Sequence, residues 1–365
     1  MNGIFITDVS GIFADHLTLD NNVVKGSEFY FGKIEKDFDD INDEKYNLRC
    51  NKVLKYLVDK LDLSGFKKDE IGIVIGATNS GIAEFEVTEN KYHAELGNPA
   101  EFLKWYLGTT NVAMGVSTAC TSGIKAFSTA VKLLENDVCK AVIAGGIDTI
   151  APMPTYGSHA LEVLSHQKTN PFSKNRNGIS LGEGGALFLL TKKKVEKQDD
   201  IKASDYIQLL GIGETSDAYH AATPDPEGVQ AAIAIQKALD DAKLSPDDID
   251  YINLHGTGTV SNDLMEANAI YKIFKDKTPA SSTKPMTGHC LGAAASVETF
   301  ICYEILQGKR DLPIHIYDGV YDDNLPKINL VDANTHVSPI NICMCTSFGF
   351  GGTNAVVIIG KKGEN

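Results

Sequence analysis

Cys120 is the residue whose position in the sequence most favours covalent chemistry. The strand-like run AMGVSTA (113–119) leads directly into it, and Ile124, Phe127 and Val131 follow at helical spacing. This pattern predicts a sharp turn from strand to helix, with the cysteine at the positive end of the helix. Backbone amides at such an end lower the pKa of a thiol and can hold an oxyanion. Most cysteines are small buried hydrophobes, so the neighbouring motifs decide whether Cys120 is a nucleophile.

Two histidines occupy similar positions in the second half of the chain. His255 follows the strand-like YINL and opens HGTGT (255–259), and His289 ends STKPMTGH (282–289) before a long helical segment. Each lies in a Gly- and Thr-rich break after a predicted strand, where a side chain reaches a crevice. Neutral imidazoles donate hydrogen bonds at physiological pH. Together with Cys120 they form a candidate Cys-His-His set.

A glycine-rich break near the C-terminus interrupts a strand-forming run. In CTSFGFGGTNA (345–355), Gly349, Gly351 and Gly352 precede the apolar AVVIIG. The break does not match the GxxxxGK[ST] phosphate loop, and it leads into a strand instead of a helix. A nucleotide-binding function is therefore not indicated.

Apolar strand-like runs alternate with helical segments along the chain, which predicts an α/β fold. The strand-like runs are apolar on both faces, which is typical of strands in a sheet that is covered by helices on both sides. The runs are EIGIVIGA (70–77), AMGVSTA (113–119), KAVIAGGID (140–148), GGALFLL (184–190), YIQLLGI (206–212), YINLHG (251–256) and NAVVIIG (354–360).

Two segments resemble each other and indicate an internal duplication. GVSTACTSGIKAFSTAVKLL (115–134) and ASSTKPMTGHCLGAAASVETFICYEIL (280–306) each pass from a strand through a Thr-rich turn into a helix rich in small residues. We predict an N-terminal half, 1–200, with the nucleophile and a C-terminal half, 201–365, with the histidines and the glycine loop. The charged stretch KKKVEKQDD (192–200) is predicted to be the exposed linker.

Composition restricts the classes of partner and compartment. The net charge of −14 argues against nucleic acid, because phosphate binding requires clustered Lys and Arg. The seven cysteines form no CxxC pair, so a disulfide scaffold is not expected. The chain opens without a basic leader, and no segment reaches the roughly 18 apolar residues of a membrane span. A cytoplasmic protein with no membrane partner is predicted.

The motifs taken together resemble the elongating β-ketoacyl-carrier-protein synthases. TACTSG around Cys120, HGTGT, STKPMTGH and SFGFGGTNA occur in the order typical of that family, and NPFSKNRNGISLGEGGA (170–186) matches between them. The resemblance implies the thiolase fold, with five layers, αβαβα, and two pseudo-duplicated halves. It also implies decarboxylative Claisen condensation of a malonyl unit with an acyl-enzyme thioester, in fatty acid synthesis or in a related polyketide or polyene pathway.

The resemblance assigns a role to each matching catalytic residue. Cys120 would accept the acyl group, and its amide together with that of Phe350 would form the oxyanion hole. The malonyl thioester oxygen would be held by His255 and His289. Lys284 would lie behind His289, with Glu298 as its charge partner.

Further residues would bind the pantetheine arm. Thr257 and Thr259 match positions that hydrogen-bond this arm, Phe350 matches the gate to the acyl pocket, and Gly351 and Gly352 complete the substrate-binding loop. No metal and no bound cofactor are implied, since 4′-phosphopantetheine enters on the acyl carrier protein, the expected partner. The assembly would be a homodimer or a heterodimer with a related ketosynthase subunit.

Three alternatives remain beside this interpretation. A thiolase acting on coenzyme A thioesters would use a second cysteine, for which Cys343 and Cys345 are near the glycine loop. A chain-length-factor-like partner would lack the nucleophile, although an active subunit paired with such a partner would have this same sequence. A metal site is not favoured, because no zinc pattern fits the cysteine spacing; its four ligands would be Cys290, Cys302, Cys343 and Cys345.

The sequence leaves the acyl preference and the carrier docking surface open. The stretch before Cys120 that forms the cap and dimer contacts in the family is short here, with NPAEFLKWYLGTTN (98–111) leading almost directly into the nucleophile strand. Lys174 and Arg176 are candidates for contacts with an acidic carrier protein, and Arg176 is equally suited to a structural role.

Overall fold

The computed structural model describes residues 3–20, 23, 28–192, 206–337 and 339–361. Apart from Lys192, the predicted linker at 192–200 lies outside the described residues, and so does the boundary predicted near residue 200. The division into 1–200 and 201–365 therefore stays a prediction. No helix in the described part of the chain is long and apolar enough to span a membrane.

The described residues contain twelve strands and nine α-helices. The strands are β1 (Ile4–Phe13), β2 (Thr18–Asp20), β3 (Phe29–Phe31), β4 (Ile71–Gly76), β5 (Ala113–Val116), β6 (Ala141–Asp148), β7 (Gly184–Thr191), β8 (Ile207–Ser216), β9 (Tyr251–Asn253), β10 (Ala280–Ser281), β11 (Ile342–Gly349) and β12 (Thr353–Lys361). The helices are α1 (Arg49–Val58), α2 (Ile82–Thr88), α3 (Asn98–Leu107), α4 (Ser122–Glu135), α5 (Pro152–Ala160), α6 (Val229–Ala242), α7 (Val260–Phe274), α8 (Lys284–Thr287) and α9 (Ala294–Leu306).

Ten strands follow one another in the hydrogen-bonded order β10-β9-β11-β12-β8-β1-β7-β6-β4-β5. Each half of this series has the same arrangement when its five strands are numbered along the chain, namely 3-2-4-5-1. The directions also repeat: β4 is parallel to β5 and β6, and β9 is parallel to β10 and β11. In both halves the last two pairings are antiparallel. The internal repeat predicted from the sequence therefore exists in the strand topology.

Helices α4 and α9 lie between the two half-sheets. Helix α4 contacts β4 and β6 of the first half and β12 of the second, whereas α9 contacts β11 and β12 as well as β1 and β7. Helices α1 and α3 cover the outer face of the first half, and α6 and α7 cover that of the second. The result is five alternating layers of helix and sheet. The two central helices approach closely, because a Cβ on Gly123 would lie 2.3 Å from Oγ of Ser296.

All seven predicted strands are present, and their burial explains why they lack a polar face. Strands β4, β6 and β7 are buried along their whole length, since helices pack on both sides of them. Strand β5 differs because Met114 and Gly115 are exposed at the end of the strand series. The predicted strands did not include β1 and β10, and the run 345–355 proved to be the end of β11 and its turn into β12.

Candidate active site

The turn before α4 presents Cys120 to a cavity. Ala119 has a left-handed φ of +53°, which reverses the chain directly before Cys120. Oγ of Ser122 accepts from the N–H of Thr118 at 2.9 Å and donates to the carbonyl of Ala119 at 2.6 Å, so the turn is closed by its own side chain. From β11, Oγ of Ser347 donates to the carbonyl of Cys120 at 2.9 Å. The predicted strand-to-helix turn is confirmed, with the cysteine two residues before the helix begins.

The structure brings both predicted histidines to Cys120. Sγ of Cys120 lies 3.0 Å from Nε2 of His289. The rings of His255 and His289 meet edge to face, with their centroids 5.2 Å apart. One ligand atom from each of the three residues lies within 4.8 Å of the other two. A reacting carbonyl in this space would contact the sulfur and both imidazoles at once.

A hydrogen bond from the backbone defines the tautomer of His289. The N–H of Leu291 donates to Nδ1 of His289 at 3.2 Å, so the ring proton lies on Nε2. This N–H points to Sγ of Cys120. The predicted long helix after His289 begins only at Ala294, after a 3₁₀ turn at Leu291–Ala293.

Lys284 and Glu298 form a buried ion pair behind the histidines, with each side chain at most 2% exposed. The ammonium also donates to the carbonyl of His255 at 2.5 Å and lies 3.4 Å from its Nδ1. Lys284 was expected behind His289, but its contacts are with His255. The reason is that α8 begins at Lys284 and directs this side chain to the end of β9.

Burial keeps both imidazoles neutral. It lowers the pKa of His255 and of His289 well below the ordinary value, and the positive charge of Lys284 lowers both pKa values further. Burial also raises the pKa of Glu298 to about 7, and the neighbouring Lys284 opposes this shift. At neutral pH the two histidines are therefore hydrogen-bond donors without charge.

The pKa of Cys120 departs from the expectation drawn from the helix end. Loss of hydration raises the pKa of this thiol to about 11, while Lys284 and the amides of Cys120 and Phe350 lower it by less. The prediction of a lowered thiol pKa is therefore wrong for the free site, because desolvation exceeds the effect of the helix terminus. The same two amides point to the sulfur, as expected of an oxyanion hole.

Two carboxylates of the site were not identified from the sequence. Glu266 on α7 accepts from the backbone N–H groups of His255 (2.7 Å) and Gly256 (2.6 Å) and from Oγ1 of Thr346 (2.7 Å), and burial raises its pKa to about 7. Asp148 ends β6 and accepts from the loops on either side of the cavity. Each could have been detected as an acidic residue in an otherwise apolar run, since buried charges require partners.

A cavity of about 240 Å³ opens above the three central residues. On one side lie the predicted pantetheine contacts Thr257 and Thr259, whose hydroxyl oxygens are 3.0 Å apart. The turn between β11 and β12 contributes Phe350, which is 47% exposed. Gly351 and Gly352 line the same turn with φ values of +85° and +76°, which favour glycine. All the predicted binding residues therefore border one cavity.

Another part of the cavity wall comes from the first half of the chain, including α5, and from Leu291 of the second half. It is formed by polar and small side chains together with a few apolar ones. Its residues are Thr78, Asn79, Pro154, Ser158, Ile179 and Leu291.

Other predicted candidates lie away from the cavity. Arg176 is buried, donates to Asp322 at 2.6 Å and to the carbonyl of Ser173 at 2.8 Å, and so has a structural role; it is not available to a carrier protein. Lys174 is exposed. Cys343 and Cys345 are fully buried in β11 and do not border the cavity. A thiolase-type second cysteine is therefore absent from the cavity lining described here.

The four cysteines considered as metal ligands do not converge. Sγ of Cys345 lies 3.4 Å from Sγ of Cys302. Within the described residues, the ligand set compact enough for a metal ion is Cys120 with His255 and His289, and it includes none of these four cysteines.

Sequence comparisons match about two thirds of the chain to the two domain models of one family. Residues 60–195 match "Beta-ketoacyl synthase, N-terminal domain" and residues 206–314 match "Beta-ketoacyl synthase, C-terminal domain". The chain is 31% identical over 328 residues to 3-oxoacyl-[acyl-carrier-protein] synthase 2 of Coxiella burnetii, covering 82% of this chain and 78% of the relative. It is 38% identical over 261 residues to nodulation protein E of Rhizobium leguminosarum bv. trifolii, covering 69% of this chain and 62% of that protein.

Solved structures give the same fold. A chain of the complex between the ketosynthase ApeO and its chain length factor ApeC from Xenorhabdus doucetiae superposes with a TM-score of 0.90 and 32% identity, covering 99% of this chain and 98% of that one. A β-ketoacyl synthase from Burkholderia phymatum STM815 superposes with a TM-score of 0.84 at 19% identity, with both chains fully covered. The five-layered thiolase fold predicted from the motifs is confirmed.

Proposed function

The chain belongs to the β-ketoacyl synthase family of condensing acyltransferases, and we propose that Cys120, His255 and His289 perform its reaction. The observation that supports this assignment is the convergence of one sulfur and two neutral imidazoles within 4.8 Å at the floor of the cavity. The substrate is an acyl group carried by an acyl carrier protein, and the second substrate is the malonyl form of that protein. No cofactor is bound by the chain, because the pantetheine arm arrives with the carrier.

In the first step the sulfur of Cys120 attacks the carbonyl carbon of the acyl thioester. The amides of Cys120 and Phe350 stabilise the oxygen that becomes negative, because they lie at the sulfur, next to which this oxygen forms. Since the thiol pKa is about 11, its proton leaves as the new S–C bond forms. The departing pantetheine sulfur takes up that proton. The acyl group is then a thioester of Cys120, and the pantetheine arm is a free thiol.

In the second step the malonyl thioester loses CO₂. The electron pair of the broken C–C bond moves towards the thioester oxygen, and the Nε2–H of His289 together with His255 stabilises the resulting enolate. Acylation occupies the sulfur, so this N–H, which faces Sγ in the free site, becomes available to the substrate. Neutral donors suit this task, because decarboxylation requires stabilisation of charge and not transfer of a proton.

In the third step the enolate carbon attacks the acyl group on Cys120. A C–C bond forms, the S–C bond breaks, and the sulfur leaves as a thiolate. The amides of Cys120 and Phe350 lie close enough to hold that charge until a proton returns from water. The product on the carrier is two carbons longer and has a β-keto group.

The surface next to the cavity supports assembly with a second, related subunit. Strand β5 ends the strand series with Met114 exposed. Met153, Tyr156 and Leu161 are also exposed at α5, which contributes two residues to the cavity wall. Exposed strand edges and apolar patches of this kind mark protein contacts.

A second candidate is an active subunit of a heterodimer. The similarity to a chain from a ketosynthase–chain length factor complex, over 99% of the present chain, favours this candidate. Light scattering of the purified chain distinguishes a homodimer from a subunit of a heterodimer. A stable homodimer supports self-association, whereas a monomer that lacks activity supports a missing partner.

The proposed compartment is the cytoplasm, where carrier-dependent synthesis and reduced thiols coexist. All seven cysteines are free thiols, as is typical of a reducing environment.

Intact-protein mass spectrometry tests the proposed function directly. The chain is incubated with acyl carrier proteins and acyl-coenzyme A thioesters of several lengths, and malonyl carrier protein is then added. We expect an adduct on Cys120 that disappears as a chain two carbons longer forms on the carrier. An adduct that never reacts with the malonyl carrier would contradict the condensing role.

A further inference from the structure

Asp148 contacts the loops on both sides of the catalytic cavity, although it does not line it. Its buried carboxylate accepts hydrogen bonds from the N–H groups of Thr78 (3.0 Å), Asn79 (2.8 Å) and Gly292 (2.7 Å). Oγ1 of Thr78 donates to it as well, at 2.6 Å. Four donors therefore converge on one carboxylate at the end of β6.

The donors belong to opposite halves of the molecule. Thr78 and Asn79 follow β4 in the first half and form part of the cavity wall. Gly292 belongs to the turn between His289 and α9 in the second half. The fit is close, because a Cβ on Gly292 would lie 2.7 Å from Oδ2 of Asp148. Asp148 thus ties the wall of the cavity to the turn that follows a catalytic histidine.

That turn contains a strained residue. Leu291 has a φ of +51°, a left-handed conformation that is unfavourable for a residue other than glycine. In this conformation its N–H donates to Nδ1 of His289 at 3.2 Å. Because φ of Leu291 sets the angle between the peptide that carries this N–H and the next peptide, which Asp148 holds at Gly292, a change to a negative φ would turn these two peptides against each other and draw the N–H away from Nδ1. The ring could then carry its proton on Nδ1 and present a bare Nε2 to Cys120.

We propose that Asp148 is a positioning residue that holds Leu291 in its left-handed conformation and so keeps the proton of His289 on Nε2. The hydrogen bond to Gly292 fixes the peptide that follows Leu291, and the bonds to Thr78 and Asn79 anchor the carboxylate. This inference rests on the proposed role of His289 in decarboxylation. It gives the first half of the chain a function in the second step of the reaction, in addition to supplying the nucleophile.

The first test is Asp148→Asn in the full-length chain. The replacement keeps the size of the side chain but turns one acceptor oxygen into an NH₂ group that faces N–H donors. We expect kcat of malonyl decarboxylation to fall by about 10- to 100-fold, the loss known for partners that orient metal-binding histidines. KM for malonyl carrier protein and the rate of acyl transfer to Cys120 should stay unchanged. Equal losses in both half-reactions would overturn the inference.

The control is Asp322→Asn, which alters another buried carboxylate, one that accepts from Arg176 outside the cavity. It should lower stability without selecting between the half-reactions. A selective loss of decarboxylation in this control would mean that general destabilisation explains the Asp148 result.

Two variants of Leu291 test the inference even if Asp148→Asn does not fold. Leu291→Val keeps an apolar side chain, but a β-branched residue tolerates positive φ poorly, so it should show the same selective loss. Leu291→Gly adopts positive φ without cost. The double variant Asp148→Asn/Leu291→Gly should therefore decarboxylate malonyl carrier protein at a rate close to that of Leu291→Gly alone, so that most of the activity lost in Asp148→Asn is recovered. Full activity in Leu291→Val, or no recovery in the double variant, would overturn the inference.

The tautomer can be observed directly. In the original chain, ¹⁵N NMR with labelled histidine should show the proton of His289 on Nε2. In Asp148→Asn it should show a mixture of the two tautomers.

His289→Ala separates this inference from the proposed function. If that variant still decarboxylates malonyl carrier protein, the proposed function fails, whereas loss there with unchanged Asp148→Asn overturns the positioning role alone.

Discussion

The two copies of the strand-turn-helix unit occupy the same place in their half-sheets but perform different chemistry. In the first copy, residues 117–121 join β5 to α4 and present Cys120. In the second copy, residues 282–293 join β10 to α9 and contain α8, His289 and a 3₁₀ turn. The longer connection adds Lys284, a buried charge whose partner, Glu298, lies on the following helix.

The difference shows how a repeated framework can supply two functions. The short turn supplies the Cys120 side chain and its own amide, and the turn between β11 and β12 adds the amide of Phe350. The longer turn contains the side chain of His289, one partner of a buried ion pair, Lys284, and the positive φ of Leu291. Because both turns face the same cavity, a nucleophile and a pair of hydrogen-bond donors meet across the interface of the halves. The following predictions test this separation.

Cys120→Ala should have the largest effect, because it removes the nucleophile of the short turn. We expect no acyl adduct and condensation at the background rate, measured by mass spectrometry of the carrier product. Cys120→Gln should likewise abolish acyl transfer while sparing malonyl decarboxylation. Cys139→Ala, which removes another free thiol, serves as the matched control and should remain active. A Cys120→Ala protein that still condenses would contradict the assignment.

His289→Ala should remove the function of the longer turn and leave that of the short turn. We expect malonyl decarboxylation to fall by about 10²- to 10³-fold, the usual loss for one oxyanion donor, when release of ¹⁴CO₂ is measured. Acyl transfer to Cys120 should persist. His166→Ala changes an exposed histidine and should behave as the original chain. Unchanged CO₂ release from His289→Ala would contradict the assignment of decarboxylation to the longer turn and of acyl transfer to the short turn.

Lys284→Met should destabilise the longer turn, since it leaves Glu298 buried without a charge partner. The free energy of unfolding in urea should fall by about 3–5 kcal/mol. Lys277→Met breaks an ion pair with Asp247 in which both side chains are more than two-thirds exposed, and it should cost less than about 1 kcal/mol. Equal effects of the two substitutions would argue against a structural role for the buried pair.

The pH dependence of alkylation tests the short turn. Because the pKa of Cys120 is raised to about 11, the thiolate fraction grows about tenfold per pH unit over the whole range below that value. The rate of reaction with iodoacetamide, followed by mass spectrometry from pH 7 to 9.5, should therefore rise without a plateau. Glutathione, a thiol with an ordinary pKa, should approach its plateau within this range. A plateau for Cys120 near pH 7 would show that the helix end outweighs desolvation.

Most of the fold could be predicted from patterns that are local in the sequence. Runs such as EIGIVIGA (70–77) predict buried strands, and the two similar segments around Cys120 and His289 indicate the duplication. Strand β10 could not be predicted in this way, because two residues give no periodicity. Strand β1 was also missed, since Asp8 and Ser10 interrupt its apolar pattern.

The proposed nucleophile and the two proposed histidines were identified from the amino-acid sequence by itself, because each lies in a short motif that resembles one family. Tertiary structure decided the rest. Only the packed chain shows that Lys284 supports His255, that Asp148 joins the two halves, and that Cys120 has a raised pKa. Desolvation and hydrogen bonds between distant segments depend on what surrounds a group in three dimensions, and sequence spacing does not encode those surroundings.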